Sequence, residues 1–167
     1  MDAKAEAEFT EFVHGNWARL VRLGYVLTGD RGLGEDLAQS ALAKAYASWP
    51  RVARAGSPDA YVRKIVVNAS RDRLRRRRVD ELLTDLVPEP KCAASGDAVE
   101  TRAALLSALL KLPARQREIV VLRFWLDLTE TEAAAAAGCS IGNVKSQTSR
   151  ALAKLRASVD LKDGVIQ

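Results

Sequence analysis

The side chains best suited to chemistry in this sequence are cations at helical spacing. Arg63, Lys64, Arg71, Arg75 and Arg76 fall within one short stretch, with Asn68 among them. Lys145 and Arg150 recur near the other end, interleaved with Asn143, Ser146 and Ser149. Positive charge beside small polar groups suits a polyanion. Ammonium and guanidinium groups neutralise phosphates, while Asn, Ser and Arg hydrogen-bond base edges. Groups for bond-making chemistry are scarce. The 167 residues include one His, His14, and two Cys, Cys92 and Cys139, which are far apart and form no CxxC. There is no Walker loop, no His-based catalytic set and no metal-ligand cluster. We therefore expect no enzyme, no bound metal and no cofactor.

The net charge of +5 is unevenly spread. Residues 1–50 carry −2, residues 51–78 carry +8, residues 79–104 carry −4 and residues 105–167 carry +3. Two basic blocks flank an acidic stretch, as expected if both blocks face one polyanion. No apolar run approaches the ~20 residues of a membrane helix, and the acidic N-terminus lacks a signal-peptide core. A reduced, cytoplasmic protein without membrane insertion is the expectation.

The elements that position these cations read as helices throughout: Ala, Leu, Arg and Glu dominate and no alternating strand pattern persists. Phe9, Phe12, Val13, Trp17, Leu20 and Val21 form one apolar stripe, ended by Thr28-Gly29-Asp30. A second helix is expected from about Gly34 to Trp49, with Leu37, Ala41, Leu42, Ala45 and Trp49 inward and Pro50 as its stop. Ser57-Pro58 opens a third. Its expected core face is Tyr61, Val62, Ile65, Val66 and Ala69, opposite Arg63, Lys64, Arg71 and Arg75. From Val79 to Ser95, Pro88, Pro90 and several acids read as an exposed linker. Helicity resumes near Asp97 with Leu105, Leu106, Leu109 and Leu110. Another helix follows Pro113, with Ile119, Leu122 and Leu126 inward. The fold class expected is all-α: an N-terminal helical bundle (1–78), a flexible linker (79–96) and a C-terminal helical domain (97–167).

The C-terminal domain contains a helix-turn-helix pattern. Thr129-Glu130-Thr131-Glu132 has the capping-box form. The alanine-rich helix to Ala137 lets a second helix pack close, Gly138-Cys139-Ser140 supplies the turn, and Ser140 caps the second helix. In that second helix Ile141, Val144, Thr148, Ala151, Leu152 and Leu155 share one side. Gly142, Asn143, Ser146, Ser149, Arg150 and Ala153 lie opposite, with Lys145 on the flank. Small residues beside Asn, Ser, Lys and Arg suit a helix seated in the major groove.

From Phe9 to Arg156 the chain resembles bacterial RNA polymerase sigma factors of the extracytoplasmic-function group, and is most similar to the actinobacterial SigE-like branch. The resemblance rests on Gly34-Glu35-Asp36-Leu37-Ala38-Gln39, Tyr61-Val62-Arg63-Lys64-Ile65-Val66-Val67-Asn68, Leu112-Pro113-Ala114-Arg115-Gln116-Arg117, Val144-Lys145-Ser146 and Arg150-Ala151, in that order and spacing. It implies a first domain that binds the polymerase clamp helices and captures the minus-ten promoter element. It implies a second that reads the minus-thirty-five element and touches the flap of the β subunit. Asp36, Leu37 and Gln39 fall where the family docks on polymerase. Arg63, Lys64, Asn68, Arg71, Arg75 and Arg76 fall in its promoter-melting helix, and Lys145, Ser146, Ser149 and Arg150 on its recognition helix. Two places depart from the pattern: Ser40 stands where most relatives carry an acid, and Ser70 to Leu74 lacks the Trp of many SigE-like proteins. Core RNA polymerase and promoter DNA are the implied partners, with an anti-sigma protein as regulator in many relatives. The competing reading is a stand-alone dimeric helix-turn-helix regulator. That reading predicts tight binding to a palindromic site without polymerase, and it leaves the basic third helix without a role.

Overall fold

The computed structural model describes residues 2–81 and 97–163, and among them all regular structure is helical. The expected linker lies outside the described residues from position 82 onward. The chain divides into two compact units, Met1–Glu89 and Pro90–Gln167.

In the first unit α1 (Ala3–Thr28) begins at Asp2, whose carboxylate accepts the Ala5 N–H at 2.8 Å, and ends at Gly29 with φ 75°. Asp30 then caps α2 (Arg31–Ala47) by accepting the Leu33 N–H at 2.9 Å. This helix starts and stops a little earlier than its apolar pattern predicts. Pro50 does not simply end it. The proline lies in the first turn of a separate short helix, α3 (Trp49–Arg54), where its missing N–H leaves no hydrogen bond unmade. Ser57 caps the next helix as expected, its Oγ accepting the Ala60 N–H at 3.2 Å, and Pro58 is the first residue of α4 (Pro58–Glu81).

Leu20, Leu23, Val26 and Leu27 of α1 are buried, as are Leu37, Ala38, Ala41, Leu42 and Ala45 of α2, Trp49 and Val52 of α3, and Val62, Val66 and Val67 of α4. Helices α1 and α2 cross at Gly24 and Gly34. A Cβ on Gly24 would lie 2.7 Å from the Gly34 backbone, and one on Gly34 would lie 2.7 Å from Tyr25 N. Only hydrogen at these two positions lets the backbones approach so closely. Phe9 and Phe12 pack on Trp49 with ring centroids 5.0 and 5.1 Å apart, closing one end of the bundle. Tyr61 departs from the expected core face. It is 37% exposed, because the buried stripe of α4 is rotated toward Val67 and Ser70.

In the second unit α5 (Asp97–Lys111) leads to Pro113 and α6 (Ala114–Val120). Leu105 is exposed rather than part of the stripe, and Ala108, Leu109 and Leu110 are the buried positions. A π-helical turn, Val121–Trp125, extends α6, and the Leu126 N–H reaches Val121 O at 2.9 Å. The added residue in that turn leaves Phe124 56% exposed and Leu126 only half-buried. Helices α7 (Glu130–Ala137) and α8 (Ile141–Asp163) come next. Ala133, Ala134 and Ala137 of α7 and Val144, Ala151 and Leu155 of α8 are buried. Ile141, expected inward, is exposed at the first turn of α8. Among the described residues, no helix is long and apolar enough to cross a membrane.

Candidate nucleic-acid and polymerase interfaces

In the first unit, Val62, Val66 and Val67 hold α4 against the bundle, so its basic residues line the outer side. Lys64, Asn68 and Arg75 are exposed and Arg71 is half-buried. Steps of three and four residues put all of them on one helix face. Arg76 is exposed beside them. Arg63 lies toward the flank, its Nη2 2.8 Å from Asp59 Oδ2 one turn earlier, and its side chain is 26% exposed. Arg75 pairs more loosely with Asp72, at 3.7 Å. Helix α4 therefore offers Lys64 and Asn68 directly, whereas Arg63 is already held by an acid.

The three residues of α2 expected at a polymerase contact, Asp36, Leu37 and Gln39, differ in exposure. Asp36 and Gln39 are exposed. Leu37 is only 7% exposed and belongs to the core. Its place in the structure is to hold α2 on the bundle so that its neighbours face outward.

The helix-turn-helix forms as its sequence predicts. Thr129 Oγ1 accepts the Glu132 N–H at 3.2 Å, and Glu132 Oε2 accepts the Thr129 N–H at 2.7 Å. That backbone hydrogen bond, with the Thr129 hydroxyl, holds the Glu132 carboxyl below the ordinary glutamate range. Gly138 takes φ 63°, the left-handed conformation that ends α7. Ser140 Oγ accepts the Asn143 N–H at 3.0 Å and starts α8. Lys145, Ser146, Ser149 and Arg150 are exposed along α8, and Asn143 is half-buried at its start. The Ser146 hydroxyl donates to Asn143 O at 3.2 Å, which leaves its lone pairs outward as acceptors. Lys145 Nζ lies 3.7 Å from Glu130 Oε2 on the neighbouring helix.

Arginines of α6 and of the turn after it brace this unit in a way that the sequence pattern alone does not reveal. Arg115 donates to Ala137 O at 2.7 Å, occupying a terminal carbonyl of α7, and pairs with the buried Glu118 at 3.0 Å. Arg117 is buried and donates to Leu110 O at 3.1 Å, and burial lowers its pKa from the ordinary arginine value. Arg123 bonds Leu128 O at the entrance to the motif. The one local signal for Arg115 is an Arg with Glu three residues on, just after a Pro. Nothing local points to its partner 22 residues away.

Residues 12–79 match the family Sigma-70 region 2, and residues 102–155 match Sigma-70, region 4. The chain is 36% identical to the RNA polymerase sigma-E factor of Streptomyces antibioticus, over 93% of this chain and 87% of that protein. Identity to the sigma-E factor of Streptomyces coelicolor is also 36%, over 93% of this chain and 88% of that one. Among solved structures it is similar to the sigma factor RpoE in complex with the anti-sigma factor NepR from Bartonella quintana. The TM-score is 0.71 at 26% identity, covering 92% of this chain and 97% of that chain.

Proposed function

This chain belongs to the sigma-70 family of RNA polymerase sigma factors, in its extracytoplasmic-function group, and from that premise we propose how its residues divide the work of initiation. As an alternative sigma factor it directs core RNA polymerase to specific promoters. The stand-alone dimeric regulator is not favoured. Residues 1–78 form the unit that docks on the clamp helices and captures the minus-ten element, residues 79–96 contain the tether after the end of α4 at Glu81, and residues 97–167 read the minus-thirty-five element and touch the β flap.

One observation carries this division: two separate compact units each present an outward face of cations and small polar groups. On α4, Lys64, Arg71, Arg75 and Arg76 meet phosphates of the opening strand, Asn68 lies at the captured base, and Arg63 joins once it leaves Asp59. On α8, Arg150 makes the bidentate base contact, Asn143, Ser146 and Ser149 line the groove, and Lys145 meets phosphate. Asp36 and Gln39 contact polymerase, over the buried Leu37. Strand opening proceeds by capture of an unstacked base, so the chain catalyses no bond change of its own. The site of action is the cytoplasm. The Bartonella relative, solved with an anti-sigma factor, supports a regulatory protein as a further partner.

Site-specific photocrosslinking tests these assignments in the complete complex of chain, core polymerase and promoter. A crosslinker at Asn68 should label the non-template strand near minus ten, and one at Ser149 the duplex near minus thirty-five. Labelling of the same element from both positions would contradict the division.

A further inference from the structure

Promoter reading as assigned above makes no use of the pairing between Lys145 and Glu130. Glu130 is the first residue of α7, and its Oε2 lies 3.7 Å from the Nζ of Lys145, across the turn on α8. The side chains are 41% and 63% exposed, so both remain within reach of a ligand. The other acid of that first turn, Glu132, is committed to the Thr129 N–H at 2.7 Å. Glu130 is therefore the carboxylate aimed at the recognition helix. In helix-turn-helix proteins the first helix crosses the DNA backbone, and helix N-termini commonly hold phosphate oxygens. Here that end of α7 presents carboxylates, and one of them already holds the lysine assigned to phosphate. With Glu130 at 3.7 Å the exposed Lys145 ammonium keeps open donors, so an approaching phosphate shares the lysine with Glu130 or takes its place. Lysine's flexible stem and point charge permit such an exchange.

We propose that Glu130 is an internal counter-ion that competes with the DNA backbone for Lys145. It thereby weakens sequence-independent binding and leaves discrimination to the base-facing side of α8. This proposal rests on the reading of α8 as the DNA-facing helix, and the test separates the two. Full-length chain is titrated into a fluorescent duplex of random sequence over a series of KCl concentrations, as wild type, E130Q, K145Q and the double variant. Folding of each is checked by thermal melting. E130Q should tighten binding about two- to fivefold at low salt, the range of an exposed ion pair. It should also steepen the salt dependence by up to about 0.9 in logarithmic slope, one phosphate contact. In the K145Q background the same substitution should change nothing. An equal gain in that background would reveal general repulsion by the carboxylate and overturn the proposal. So would no gain, or weaker binding, in E130Q alone. A parallel R150A arm on promoter duplex keeps the outcomes distinct. Loss of sequence preference there upholds the DNA-facing reading even if Glu130 proves inert. If neither R150A nor K145Q alters binding, that reading falls and the proposal with it.

Discussion

At the residue scale, chemistry separates side chains that neighbour one another. Arg150 and Lys145 are both exposed cations of α8, yet a guanidinium presents a planar fork of fixed geometry that matches a guanine edge, whereas an ammonium is a flexible point charge. Arg150→Ala should therefore cost about 1–3 kcal/mol on the preferred site and flatten the preference at one base pair. Lys145→Ala should weaken all sequences alike and reduce the salt slope by less than the about 0.9 of one full phosphate contact, since Glu130 offsets part of the lysine's charge. Binding isotherms on matched and mismatched duplexes at two salt concentrations distinguish the outcomes. A second contrast lies in α2. Leu37 is in the core, so Leu37→Ala should destabilise the chain by about 2–5 kcal/mol in chemical denaturation. Asp36→Ala should leave the denaturation midpoint nearly unchanged and weaken the affinity for core polymerase. Equal stability losses from both would place Asp36 in a structural role. The sequence identified the residue types of these faces but not their partners. The pairing of Arg63 with Asp59 and of Lys145 with Glu130 depends on rotamers and helix approach, which spacing alone does not fix.

At the scale of the element, local signals decided what could be read in advance. Ser57-Pro58, Thr129 with Glu132, Gly138 and Ser140 each satisfy or end a helix through atoms within a few residues, and each does so as predicted. Features set by tertiary packing escaped. The crossing at Gly24 and Gly34 requires two glycines ten positions apart to meet, and the π turn at Val121–Trp125 inserts a residue that shifts the apolar register. The exposure of Tyr61 has the same origin, since α1 and α2 determine which side of α4 is covered. The crossing makes a sharp prediction. Gly24→Ala and Gly34→Ala should each cost about 1–3 kcal/mol, because the methyl meets backbone that cannot swing aside. Gly15→Ala, with nothing near its Cβ, should gain about 0.5–1 kcal/mol from helix propensity. Thermal melts of the three variants suffice. The capping box adds a pH signature. The native Glu132 carboxyl titrates below its ordinary value, so its contribution to α7 is complete above the ordinary glutamate range and is lost as pH falls through the lowered native value. Glu132→Gln should remove that acid-side loss from the stability profile, and an unchanged profile would show that the capping carboxylate does not couple to folding.

At the scale of the whole molecule, the central idea is that two modest grips become one firm one. Each unit offers a few cations, and several of these are already paired with acids of the chain itself, so neither unit alone should hold a promoter well. Once polymerase fixes the separation, the second contact becomes intramolecular and its effective concentration rises. Mutations in the two faces should accordingly be strongly coupled in transcription and nearly independent in binding to isolated duplex. The most direct test of this account is run-off transcription with core polymerase in the presence and absence of the full chain, followed by sequencing of transcript starts. The account predicts new starts that appear only with the chain and share two short upstream elements at a fixed spacing. It also predicts that Asn68→Ala and Arg150→Ala each abolish most of them. Starts that share only one element, or that survive removal of the helix-turn-helix, would contradict it.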